Sequence, residues 1–102
     1  MKPLALYYRL LSYQQDNLSL LREVFETREL DDPRQDTTAI LAESEVLFAP
    51  LGFPVNEERM ARCVKLRAVV SNTTGVPHID LDAARRRGIA VCALHNEPDF
   101  LD

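Results

Sequence analysis

The stretch from Leu66 to Cys92 constrains the fold more than any other part of the chain. A run of small and β-branched residues at Ala68 to Val70 reads as a short buried strand, and a polar turn from Ser71 to Gly75 follows it. A helix start comes at Asp80, Gly88 closes that helix, and Ile89 to Cys92 forms a second apolar run. Strand, turn, helix, glycine, strand is the order of a βαβ unit, whose helix carries the chain back to a parallel neighbour. The turn leaves the first strand at its C-terminal end. In open α/β sheets that is where ligands bind.

Upstream, the same alternation continues. Leu4 to Leu11 is apolar enough for a central strand. Asp16 or Asn17 offers an N-cap, and Leu18, Leu21 and Phe25, with Leu20 and Val24, repeat at amphipathic-helix spacing. An edge strand is expected somewhere between Val24 and Leu30, at a boundary that periodicity does not settle, with a turn at Asp31-Asp32-Pro33 and a short helix from Thr37 to Glu43. Glu45 to Ala49 reads as the third strand, with a breaker-rich loop, Pro50 to Pro54, at its C-terminal end. Asn56 caps the next helix, Glu57 and Glu58 oppose its dipole, and Met60, Cys63 and Val64 give it an apolar face. Five strands alternating with four helices imply a flavodoxin-like α/β sandwich of three layers, with a mostly parallel five-stranded sheet.

Composition narrows the function classes. A chain of 102 residues holds one small domain, and a net charge of −4 with no basic face argues against nucleic acid as a partner. Arg85-Arg86-Arg87 ends a helix, where cations complement the macrodipole. Cys63 and Cys92 lack metal-ligand spacing, and no apolar run is long enough to span a membrane. Two isolated cysteines without a secretory signal point to a cytoplasmic location. No Gly-x-Gly-x-x-Gly fingerprint is present, so no dinucleotide site of that kind is expected in these residues.

Two loops should then lie side by side, Pro50 to Pro54 and Ser71 to Gly75. The second is rich in hydroxyls and amides, and backbone N–H groups beside Gly75 would approach a small anion closely. Turn chemistry alone leaves two readings open, a ligand site and a plain tight turn before the Asp80 cap. His78 and His95 read as structural, because neither has a carboxylate partner in sequence, and Asp80 and Asp82 read as capping residues.

Leu66-Arg-Ala-Val-Val, followed by Thr-Thr-Gly-Val-Pro-His-Ile-Asp-Leu-Asp-Ala-Ala-Arg-Arg-Arg-Gly-Ile-Ala-Val, resembles the D-isomer-specific 2-hydroxyacid dehydrogenases. Their substrate-binding domain carries a similar strand, Gly-x-(Asp/Asn)-x-Ile-Asp turn, helix and Gly-Ile-x-Val strand. The match is dense over about a quarter of the chain and looser, in register, from Ala5 onward. Pro77 departs from the pattern, standing where Asp or Asn is usual.

The resemblance implies that backbone amides at Thr74 and Gly75 hold the carboxylate of a 2-oxo or 2-hydroxy acid, and that Leu51, Gly52 and Phe53 line the same pocket. It also implies a substrate-binding domain over residues 1–95, with 96–102 starting a hinge toward a missing nucleotide-binding domain. NAD or NADP, and the catalytic histidine, arginine and acid, would belong to that missing part, so this chain alone is expected to bind no cofactor and to be inactive. The alternative is a freestanding flavodoxin-like module that binds a small carboxylate or a protein partner without catalysis. A homodimer covering an exposed sheet edge or apolar surface is a further expectation.

Overall fold

In a computed structural model, residues 2–71 and 76–93 of the chain are described. The strands are β1 (Leu4–Tyr8), β2 (Glu26–Leu30), β3 (Val46–Phe48), β4 (Ala68–Ser71) and β5 (Ala90–Ala93). Between them run α1 (Gln15–Val24), α2 (Thr38–Glu43), α3 (Glu57–Arg62) and α4 (Leu81–Arg86), with 3-10 turns at Arg9–Leu11 and Pro33–Gln35. The sheet order is β2-β1-β3-β4-β5, and every pair is parallel. This is the flavodoxin-like order of a doubly wound sheet.

Alternation along the strands divides the core. Leu6, Tyr8, Leu47 and Val69 face α2, α3 and α4 and pack with Leu41, Met60, Ala83 and Ala84. Ala5, Tyr7, Val46 and Phe48 face α1 and pack with Leu18 and Leu21. The α1 side is only partly covered. Ala68 pairs with Ala90 and Val70 with Cys92, so the four share one face; the first strand's pair is half-buried, and Ala90 and Cys92 are exposed.

Several local expectations need correction. The first strand stops at Tyr8 and not Leu11, because a 3-10 turn follows and Ser12 closes it at φ 54°, with its N–H on the Arg9 carbonyl. Leu10 is consequently turned outward. Helix α1 starts at Gln15, so Gln14 occupies the cap without a side-chain bond, and Asp16 lies inside the first turn rather than at the cap. Leu20 and Val24 are exposed because α1 meets the sheet on a narrower stripe than the spacing allowed for, and Val64 is exposed because it lies in a turn past the end of α3. Phe25 lies past the end of α1 and stacks edge-on against Phe48.

The helix signals downstream stand on explicit bonds. Thr37, Asn56 and Asp80 each accept an N–H of the first turn with their side chains. Helix α4 ends in a Schellman motif: Gly88, at φ +70°, donates to Arg85, and Ile89 donates to Ala84. Two of the three consecutive arginines, Arg86 and Arg87, pair with Glu57 at the start of α3.

Candidate functional site

β3 and β4 are hydrogen-bonded neighbours, with Phe48 opposite Val70. Their C-terminal ends therefore launch loop 50–54 and segment 72–75 from adjacent positions. Thr74, Gly75 and His95 lie outside the described residues. Leu51, Gly52 and Phe53 are described, and their loop has a definite construction.

Pro50 and Pro54 fix φ at both ends of that loop. Phe53 donates its N–H to the Pro50 carbonyl at 3.4 Å, and Gly52, third in this turn, has φ +94°. A positive φ at the third position is what a type II turn requires, and glycine alone adopts it without strain. Leu51 and Gly52 are exposed and Phe53 is half-buried.

The loop is tied to the segment before α4. Val55 and Ile79 form an isolated parallel bridge. Val55 donates to the His78 carbonyl at 2.6 Å, and Asp80 donates to the Val55 carbonyl at 3.0 Å. The buried His78 ring places Nε2 3.3 Å from the Ala49 carbonyl. That oxygen only accepts, so Nε2 carries a hydrogen and donates it. Among the described residues Nδ1 has no partner.

Behind Phe53 lies a polar group that sequence spacing does not reveal. Tyr8 donates from Oη to Asp36 Oδ1 at 2.7 Å, and Arg59 Nη2 donates to Asp36 Oδ2 at 2.6 Å and to Tyr8 Oη at 2.7 Å. The Arg59 guanidinium also sits 6.0 Å from the centroid of the Tyr8 ring. Burial pushes the Tyr8 hydroxyl far up, so it remains a donor. Burial also pushes the Asp36 carboxyl above the usual carboxylate range, and the Tyr8 hydroxyl and the Arg59 cation offset that only in part. An open cleft of about 300 Å³ is lined by Asp36 and Arg59 of this group and by Phe53 and Pro54 of the loop, with Pro33 and Asn56 among others. The three residues are 28, 51 and 23 positions apart pairwise, so no periodicity could have linked them.

On the other side of the sheet, Tyr13 donates its N–H to Tyr7 Oη at 3.0 Å, and its ring lies against Tyr7 and Phe48. Burial pushes the Tyr13 hydroxyl up to about 12. Among the described residues no cluster of His, Cys, Asp or Glu could hold a metal, and no helix is long and apolar enough to cross a membrane.

The family described as D-isomer specific 2-hydroxyacid dehydrogenase, catalytic domain, matches residues 5–98. The chain belongs to this family. Solved structures of similar fold include the PH0520 protein of Pyrococcus horikoshii OT3, with TM-score 0.79 and 19% identity, covering 91% of this chain and 28% of that one. A 2-hydroxyacid dehydrogenase of Ketogulonicigenium vulgare Y25 has TM-score 0.71 and 23% identity, covering 89% of this chain and 29% of that one. The D-lactate dehydrogenase of Escherichia coli has TM-score 0.65 and 22% identity, covering 93% and 31% respectively. The 2-hydroxyacid dehydrogenase domain described here thus spans less than a third of the length of these three structures. No curated protein matches the sequence.

Proposed function

We propose that this domain is the substrate-binding part of an NAD(P)-dependent enzyme that interconverts a 2-oxo acid and a D-2-hydroxy acid. The observation that carries the reading is the family match over residues 5–98, joined to a sheet in which loop 50–54 and segment 72–75 leave neighbouring strands. In this reading the backbone amides of Thr74 and Gly75 hold the substrate carboxylate, and Leu51, Gly52 and Phe53 line the pocket around its side chain.

Residues 1–95 form the substrate-binding domain, and 96–102 lead toward a nucleotide-binding domain elsewhere in the parent protein. NAD or NADP, the hydride it delivers, and the groups that handle the proton and polarise the carbonyl belong to that other domain. The sequence here supplies no glycine fingerprint for a dinucleotide, so this chain binds no cofactor by itself. The half-open face over β4 and β5 is where further chain of the parent, or a second copy, packs.

The test is an assay of the protein expressed from its full coding sequence, with NADH or NADPH and a panel of 2-oxo acids. Gly75→Ala is expected to raise the KM for the 2-oxo acid about tenfold or more, because an added Cβ obstructs the close approach of the carboxylate to the backbone N–H groups and weakens those charge-assisted hydrogen bonds. The KM for the nucleotide should stay unchanged. An unaltered KM for every 2-oxo acid turned over would overturn the placement of the carboxylate.

A further inference from the structure

We infer that His78 is the positioning residue for loop 50–54, a staple that fixes where Leu51 and Phe53 stand. The residue bonds to both stems of the loop at once. Its ring Nε2–H donates to the carbonyl of Ala49, immediately before the loop. Its own carbonyl accepts the N–H of Val55, immediately after it. Ala49 and Val55 are each 1% exposed, so both bonds are shielded from water, where a hydrogen bond is stronger and its loss more costly.

The staple has a fixed reference. His78 leads directly into Ile79 and Asp80, whose bridge to Val55 and cap on α4 hold it against the domain. Ala49 in turn donates its N–H to the Val70 carbonyl of β4 at 2.8 Å. Both stems are therefore indexed to β4 and α4, the elements on either side of segment 72–75. Nδ1, without a partner among the described residues, supports a positioning role over simple space filling. An apolar ring would fill the same volume without burying an unsatisfied nitrogen, so the donor at Nε2 is what the site uses.

This inference rests on the proposed substrate role of the loop for its consequence in catalysis, though not for the staple itself. The test uses two variants of the protein expressed from its full coding sequence. His78→Phe keeps a ring and removes the donor; His78→Gln keeps an N–H at comparable reach. The loop is read by the rate of thermolysin nicking before Leu51, which follows the open population of the segment. His78→Phe is expected to nick about five- to tenfold faster, the scale of one neutral hydrogen bond, and His78→Gln to return most of the way.

KM for the 2-oxo acid should rise with nicking in His78→Phe while the nucleotide KM holds. Faster nicking with an unchanged 2-oxo acid KM would uphold the staple and overturn the substrate role of the loop. Wild-type nicking in His78→Phe, or equal nicking in both variants, would overturn the staple.

Discussion

Arg59 Nη2 lies 2.6 Å from Asp36 Oδ2 with the two side chains only 12% and 11% exposed, making theirs the most buried ion pair among the described residues. The Tyr8 hydroxyl completes it, so the C-terminal end of β1, the approach to α2 and the first turn of α3 are locked to one another. Because Asn56, the cap of α3, directly follows Val55, this lock also sets the far stem of loop 50–54.

Removing one partner of a buried pair leaves an uncompensated charge, which costs about 3 kcal/mol. Asp36→Ala is expected to lower stability by that order in urea denaturation. The double variant Asp36→Leu with Arg59→Met should recover much of the loss, since no orphaned charge remains.

A surface pair contributes to the acid limb. The Arg22 guanidinium forks onto both carboxylate oxygens of Glu29 at 2.9 and 3.1 Å and holds that carboxyl below its usual range. A depressed folded-state pKa contributes stability that is present above the unfolded value, about 4.3, and lost as the pH falls through the folded value. Arg22→Gln should therefore destabilise the chain at neutral pH and make little difference below the folded value. Urea midpoints of both proteins across this range would show the two curves converging in acid.

The Asp80 side chain accepts the Ala83 N–H at 3.0 Å and opens α4. Asp80→Ala is expected to cost about 1 kcal/mol, the usual loss for a cap. Chemical denaturation monitored by circular dichroism reads it directly.

At Gly52 an added Cβ meets nothing within 4 Å, so only the backbone resists substitution. Gly52→Ala at φ +94° should cost about 1–3 kcal/mol of local strain or force the turn to relax. In the full-length protein the expected result is a raised KM for the 2-oxo acid, with little change in the nucleotide KM.

The layout of the fold was legible because it rests on local chemistry. Caps at Thr37, Asn56 and Asp80, and the αL stop at Gly88, are written within a few residues of the bonds they make. Apolar runs marked four of the strands, the polar edge strand β2 was placed only through the family resemblance, and right-handed crossovers left one simple order for them. Exact strand ends were less legible. Nothing in Leu10-Leu11-Ser12 announces that β1 yields to a 3-10 turn, because the Leu10 N–H bonds to the Asp31 carbonyl, twenty-one residues away in sequence.

What the sequence by itself determined is the alternation of strands and helices, the glycine turn of loop 50–54 and, through the Leu66 to Cys92 pattern, the family. Tertiary structure alone decided that Tyr8, Asp36 and Arg59 share one buried group, and that His78 bonds to both stems of the loop. The physical reason is range. Capping and turn bonds close within one turn of chain and leave a local signature, whereas a buried polar contact between distant residues depends on sheet order, which no short window of sequence contains.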